Sequence, residues 1–238
     1  MTKPARLALG IAAAGVGCAG AAIATAGSPR WLWAWTAGAC WVAAAAYAAN
    51  RPEIFGKRSG RLSRSRAIAL LPYLLAFRIA CAIMRAWRRT PRVSRVDSDL
   101  WVGGRIRASD VPPGTAFVVD LTSEFSAPAA VQGLPGYRSH PVLDGSFPRD
   151  ETAFLELLEE IAARDGGVLV HCESGRGRAP TAAALVLLAR GRARDPQAAI
   201  EIVRRGRPWT KLTATDLRFI ARIAERLAER DVRRRGVG

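Results

Sequence analysis

The chain opens on two apolar blocks in which charge is missing rather than periodic. Leu7 to Ala26 is 20 residues without a charge, and Trp31 to Ala49 is another 19. Each is long enough to cross a bilayer core as a helix. Gly27-Ser28-Pro29-Arg30 reads as a tight turn between them, so the pattern predicts a two-helix transmembrane hairpin. Trp31, Trp33 and Trp35 then fall at the interfacial start of the second helix, and the Ala/Gly content of the first lets the two approach closely. From Ala67 to Trp87 the pattern changes. Ile68, Leu71, Leu75 and Ile79 share one helical face, and Arg78, Arg85 and Arg92 share another. A span here would put Arg78 near the bilayer centre, at about 2.5–3.5 kcal/mol, so the stretch predicts an amphipathic helix lying in the membrane interface.

Beyond residue 93 the signals are those of an α/β domain. Phe117–Val119 and Val168–Val170 are short continuous apolar runs suited to buried parallel strands. Phe154, Leu157, Leu158 and Ile161 form one helical stripe, and Ala198-Ala199-Ile200 with Ile202-Val203 another. Thr213 to Ala228 predicts a last helix, with Leu217, Ile220 and Leu227 on one side. The expected architecture is α/β, a central and mostly parallel sheet flanked by helices. The chain divides as a hairpin over 1–50, a basic juxtamembrane segment over 51–92 and a folded domain over 93–238. Residues 51–66 and 88–99 read as the flexible stretches.

Charge orients this arrangement. The 238 residues carry a formal net charge of +16, and residues 51–95 hold twelve lysines and arginines against the single acid Glu53. Lys3 and Arg6 precede the first block, while the hairpin turn has only Arg30. The positive-inside bias places both ends and the folded domain in the cytoplasm of a multi-pass cell-membrane protein, with the polybasic segment against anionic lipids. Ala24-Thr25-Ala26 also resembles a signal-peptidase site, whose cleavage would leave the second block as anchor. Nucleic acid is the other partner a basic chain suggests; the charge lies beside the apolar blocks and no nucleic-acid module accompanies it, so no nucleic-acid role is expected. Of four cysteines, Cys18 and Cys40 fall in the apolar blocks and Cys81 in the amphipathic stretch. No disulfide framework is suggested.

The remaining cysteine carries the chemistry. His171-Cys172-Glu173-Ser174-Gly175-Arg176-Gly177-Arg178 lies between an apolar strand and an apolar helix that Gly191 stops. A strand feeding a glycine-bearing loop at a helix start converges backbone N–H groups on an anion. The same donors, with Arg178, favour a thiolate at Cys172, and a thiolate is a nucleophile toward a phosphate seated in the loop. Arg178 can hold two phosphate oxygens bidentately. Gly175 and Gly177 let the backbone turn its amides inward without a Cβ.

His-Cys-x5-Arg resembles the signature loop of the cysteine-based protein tyrosine phosphatase superfamily. Its dual-specificity branch is resembled more closely, through Leu100-Trp101-Val102-Gly103-Gly104, Val118-Val119-Asp120-Leu121-Thr122 and Pro141-Val142-Leu143-Asp144-Gly145. The resemblance covers about residues 93–225. It implies a dual-specificity phosphatase fold for 93–238, with Cys172 as the nucleophile that forms a cysteinyl-phosphate and Arg178 as the phosphoryl ligand. Glu173, Ser174, Gly175, Arg176 and Gly177 would line the substrate loop, and His171 would support it. Asp144, 28 residues before the cysteine and followed by Gly145, is the expected acid for the leaving oxygen. Asp150 is the reserve and also suits a helix N-cap, while Asp120 reads as structural.

One position departs from the family. A serine or threonine usually follows the arginine; here Ala179, Pro180 and Thr181 follow it. Thr181 replaces that hydroxyl only if the helix start is shifted, so slow breakdown of the phosphoenzyme is expected. No residue cluster has metal-ligand spacing, so neither metal nor cofactor is expected. The implied substrate is a phosphorylated lipid headgroup or a phosphoprotein (Tyr, Ser or Thr). A carboxylate from Glu173 at the loop mouth would oppose a second phosphate. The alternative is a catalytically weak pseudophosphatase that binds phosphorylated ligands at the membrane.

Overall fold

The computed structural model describes residues 3–236. These form two compact units. The first takes in the chain up to Arg89 together with 122–127 and 141–149; the second holds 90–121, 128–140 and the remainder from Asp150.

In the first unit, α1 (Lys3–Ala24) and α2 (Pro29–Ala48) pack against each other. Gly15 is what lets them close: a Cβ there would come within 2.6 Å of the Trp41 ring nitrogen. Among the described residues, α1 is the one helix whose length and hydropathy suffice to cross a membrane. In α2 the apolar run is interrupted by Thr36, Gly38 and four tryptophans, and one face of its C-terminal half (Ala39, Ala43, Ala46 and Tyr47) is buried inside the unit.

Residues 51–66 are not the loose stretch expected. Pro52–Phe55 forms a 3-10 turn, and β1 (Lys57–Arg58) pairs antiparallel with β2 (Arg61–Leu62). Phe55 is fully buried and Gly56 closes the turn at φ +69. The amphipathic stretch is two helices, α3 (Arg64–Ala69) and α4 (Leu71–Arg88). The break has a cause, since Pro72 has no N–H to give the carbonyl four residues earlier. The Ala69 carbonyl at the end of α3 instead accepts from Trp35 Nε1 at 2.9 Å. Ile68, Leu71, Leu75 and Ile79, the face expected from their spacing, stand exposed, and Ile83 and Trp87 are exposed as well. The opposite side packs Tyr73, Leu74 and Phe77 with Tyr47, Phe55, Leu70, Phe125 and Leu143.

The second unit is built on β3 (Val93–Asp97), β4 (Leu100–Gly103), β5 (Thr115–Thr122), α5 (Ala129–Gln132), β6 (Tyr137–Val142), α6 (Glu151–Ala162), β7 (Gly167–His171), α7 (Arg178–Ala189), α8 (Pro196–Gly206) and α9 (Ala214–Gly236). The strands stand in the order β3-β4-β7-β5-β6. The inner trio β4, β7 and β5 is parallel, as expected of apolar runs buried on both faces. The sheet is nevertheless mixed, because β3 returns antiparallel to β4 at the edge. Residues 88–99, expected to be flexible, thus supply an edge strand.

Register decides which side chains meet. Trp101, Leu169 and Val118 are cross-strand partners, and Leu169 and Val118 pack with Ile106, Val131 and Leu134 on one face. Strand alternation sends Val168 and Val170 to the opposite face, where α7 lies along β4 and β7 with α6, α8 and α9 around it. Asp150 Oδ1 accepts from Ala153 N–H at 2.9 Å, so the reserve acid is the N-cap of α6.

Candidate active site

The site begins where the buried strand β7 ends. His171 is its last residue, Cys172 to Gly177 form an irregular loop, and α7 starts at Arg178. The first turn of α7 leaves N–H groups without intrahelical acceptors and adds the positive end of the helix dipole. Within the loop, Gly175 N–H donates to Cys172 Sγ at 3.2 Å. The thiol is 1% exposed and Arg178 is 6% exposed. Arg178 Nη1 donates to the Leu121 carbonyl at 3.3 Å, from the end of β5.

The loop rests on a second glycine turn. Cys172 N–H donates to the Gly103 carbonyl at 3.3 Å, and Arg105 N–H donates to the Glu173 carbonyl at 2.9 Å. Gly175 adopts φ +67, and a Cβ on it would lie 2.6 Å from the Gly104 nitrogen. No side chain fits there, so the Gly103-Gly104 pair and Gly175 are what allow two backbones to touch. The Glu173 carboxylate does not stand at the mouth of the loop. It is buried and lies 3.5 Å from Arg105 Nη1, because an acid turned inward needs a cation and this turn supplies one. Arg176 Nε donates to the Trp209 carbonyl at 3.3 Å, and its own carbonyl accepts from Lys211 N–H at 2.8 Å. Ser174 and Gly177 remain partly accessible.

Arg207 is the residue that sequence reasoning missed. It is 1% exposed, and its guanidinium donates to the Gly175 carbonyl at 2.6 Å, Ser94 Oγ at 2.8 Å, the Val102 carbonyl at 3.1 Å and the Pro91 carbonyl at 3.4 Å. Burial pulls its pKa down to about 10, opposed by the nearby Cys172. One planar cation therefore fixes the loop, β4 and the segment before β3 together. The only sequence signal was an arginine following an amphipathic helix, which reads as a solvated cap.

His171 faces Asp120 across the β5–β7 register, with Nε2 3.9 Å from Oδ1. Asp120 is fully buried and its other oxygen accepts from Tyr137 Oη at 2.7 Å. Burial and this carboxylate push the Tyr137 phenol well up. Asp120 is thus a structural acceptor beneath the loop entry. Ala179 is the second residue of α7 and fully buried. Thr181 sits inside the first turn, its N–H donating to the Gly177 carbonyl at 2.9 Å, and its buried hydroxyl makes no hydrogen bond among the described residues. α7 begins at Arg178, so an alanine rather than a hydroxyl follows the arginine directly. Asp144 belongs to the first unit, between the buried Leu143 and Gly145 at φ +74. Among the described residues no group of His, Cys, Asp and Glu could hold a metal ion.

Residues 114–222 match the family described as Swiss Army Knife protein, DSP-PTPase phosphatase domain. The fold is similar to the crystal structure of human DUSP28, at 20% identity over 57% of this chain and 97% of that one, with a TM-score of 0.45. It is also similar to PTPMT1 (16% identity, 59% and 99% covered, TM-score 0.46) and to Tk-PTP in the active form (22%, 57% and 97%, 0.45). No curated protein matches the chain. Over residues 114–222 the chain is thus similar to the dual-specificity phosphatase domains that this family describes.

Proposed function

We propose that this protein is a membrane-anchored phosphatase that cleaves phosphomonoesters through a phosphate carried on Cys172. The observation that carries the reading is the Cys172 thiol held under the Gly175 N–H at the start of α7, in a loop ending on the buried Arg178. The Cys172 thiolate attacks phosphorus, forming an S–P bond as the bond to the leaving oxygen breaks. Asp144 gives its proton to that oxygen. Arg178 and the loop N–H groups hold the equatorial oxygens, where negative charge must be met without reorganisation. Water then attacks phosphorus, its proton passes to Asp144, and the S–P bond breaks to return thiolate and inorganic phosphate.

The apolar surface of the first unit supports the anchor. Ile23, Trp31, Leu32 and Val42 on α1 and α2, and Ile68, Leu75, Ile83 and Trp87 on α3 and α4, are exposed, and exposed large apolar side chains in such number suit contact with a membrane. The α1–α2 pair is read as the cytoplasm-facing protein's hairpin anchor, with α4 in the interface beside anionic lipid. A substrate carried in that membrane is the favoured class, and a phosphorylated headgroup is preferred over a phosphoprotein. Glu173 paired with Arg105 leaves no carboxylate to repel a polyanionic headgroup.

Full-length protein in detergent is expected to release phosphate from an aryl phosphate with chelator present, and vanadate to stop it. Folded protein that binds vanadate but releases no phosphate would favour the pseudophosphatase reading, for which Ala179 is the specific support. In mixed vesicles, a phosphorylated lipid is expected to outcompete a phosphopeptide; the reverse order would make phosphoprotein the substrate.

Ala179 also yields a kinetic expectation. Without a hydroxyl to meet the departing thiolate, breakdown of the phosphoenzyme limits turnover. Rapid mixing should give a burst equal to the enzyme concentration. Ala179→Ser restores one charge-assisted hydrogen bond and should raise the steady rate by about tenfold. A steady rate without a burst in the wild type would place the slow step elsewhere.

A further inference from the structure

Asp144 is held from within the first unit. Its N–H donates to Glu124 Oε1 at 2.8 Å, and the same oxygen accepts from Tyr47 Oη at 2.9 Å. Glu124 is fully buried and Tyr47, in the last turn of α2, is 2% exposed. Tyr73 Oη on α4 donates in turn to Tyr47 Oη at 3.4 Å. A chain of polar groups thus runs from α2 and α4 to the main chain of Asp144. Around it, Leu143 is packed among Tyr47, Phe55, Tyr73, Leu74 and Phe125. Both loops are tied at other points: Asn50 Nδ2 donates to the Phe147 carbonyl at 3.4 Å, Ala127 N–H to the Gly60 carbonyl at 2.9 Å, and Lys57 Nζ to the Thr122 carbonyl.

We propose that Glu124 and Tyr47 are positioning residues for Asp144, so that the N-terminal helices set where the proton donor stands. This rests on the reading of Asp144 as the acid. A buried carboxyl between apolar helices is costly, and an apolar pair of the same shape would hold the loop at least as firmly. What the polar pair adds is a fixed position for one peptide N–H. That position matters at Asp144, because Gly145 beside it is conformationally free. A general acid must reach its oxygen at hydrogen-bond distance, and an error of about 1 Å costs on the order of a hundredfold.

Leaving-group dependence tests this. Values of kcat/KM for phenyl phosphate and p-nitrophenyl phosphate are measured on full-length protein in detergent, for wild type, Asp144→Asn, Tyr47→Phe, Glu124→Ala and Glu124→Gln. The poorer phenolate needs the proton; the nitrophenolate leaves without it. The ratio of the two values does not depend on the fraction of protein that is folded, and kcat/KM is blind to slow phosphoenzyme breakdown. Asp144→Asn is expected to lower the phenyl-to-nitrophenyl ratio most. Glu124→Ala should lower it at least about tenfold and Tyr47→Phe about threefold, fractions of the ~10²–10⁴ that general acids supply. Glu124→Gln, whose amide oxygen accepts the same two bonds, should bring the ratio back to within about twofold of wild type. An unchanged ratio in Glu124→Ala and Tyr47→Phe, with Asp144→Asn altered, overturns the positioning role and leaves the acid intact. An unchanged ratio in Asp144→Asn overturns both.

Discussion

Replacing Cys172 by serine is expected to reduce phosphate release from an aryl phosphate by on the order of 10⁴–10⁶-fold, the scale on which enzymes lose rate when a covalent nucleophile is removed. The change is one atom, at a side chain 1% exposed and touched by the Gly175 N–H, so the fold should persist. A serine hydroxyl is a far weaker acid than a thiol, so the variant offers no comparable anionic nucleophile. Binding should survive, because Arg178 and the loop amides remain. Two measurements check this together: phosphate release, and the phosphate-dependent rise in melting temperature, which the variant should retain. Release unaffected by the substitution would refute the thiolate mechanism outright.

Arg207→Met carries the second large effect, and it reaches stability and activity at once. The substitution removes donors to Gly175, Ser94, Val102 and Pro91. Each buried acceptor left empty costs about 1–3 kcal/mol, while removal of a buried charge returns part of that. A net loss of about 3 kcal/mol is expected, which is about 6–12 °C in melting temperature for a domain of this size. Arg207→Lys should recover little, since an ammonium cannot reproduce a planar fork aimed at several acceptors. Because the Gly175 carbonyl and its N–H belong to one residue, freeing the first also frees the donor to Cys172. The activity loss should therefore exceed the unfolded fraction, measured at a temperature where the variant is folded. A variant as stable and active as wild type would make Arg207 a bystander.

The two arginines show what a sequence gives up easily and what it keeps. Arg178 was legible because its distance from Cys172 is set within one loop and one helix start. Arg207 acts on the same loop from 35 residues away in the chain, and its four acceptors come from segments whose proximity only the folded sheet creates. The same holds for α4. Its period showed two faces, and the exposed Ile68-Leu71-Leu75-Ile79 side was readable. That Tyr73 and Phe77 on the other side would meet Phe125 and Leu143, far along the chain, was not. Strands fared better where burial was complete: Phe117–Val119 and Val168–Val170 lie inside β5 and β7. The polar-marked edge strand β3, with Ser94, Arg95 and Asp97, looked like a linker. The Glu173 carboxylate was misjudged for a related reason, since nothing in the local sequence shows that Arg105 waits beside it.

The nesting of 141–149 among the N-terminal helices bears on how such a protein can be inherited. Anchors are commonly treated as interchangeable leaders that recombination can swap without touching the enzyme behind them. Here Tyr47 on the last turn of α2 and the main chain of Asp144 share one oxygen atom of Glu124. A lineage that exchanged its first ninety residues would have to find a new seat for the 141–149 loop, so the N-terminal helices and this loop are expected to descend as a single heritable block.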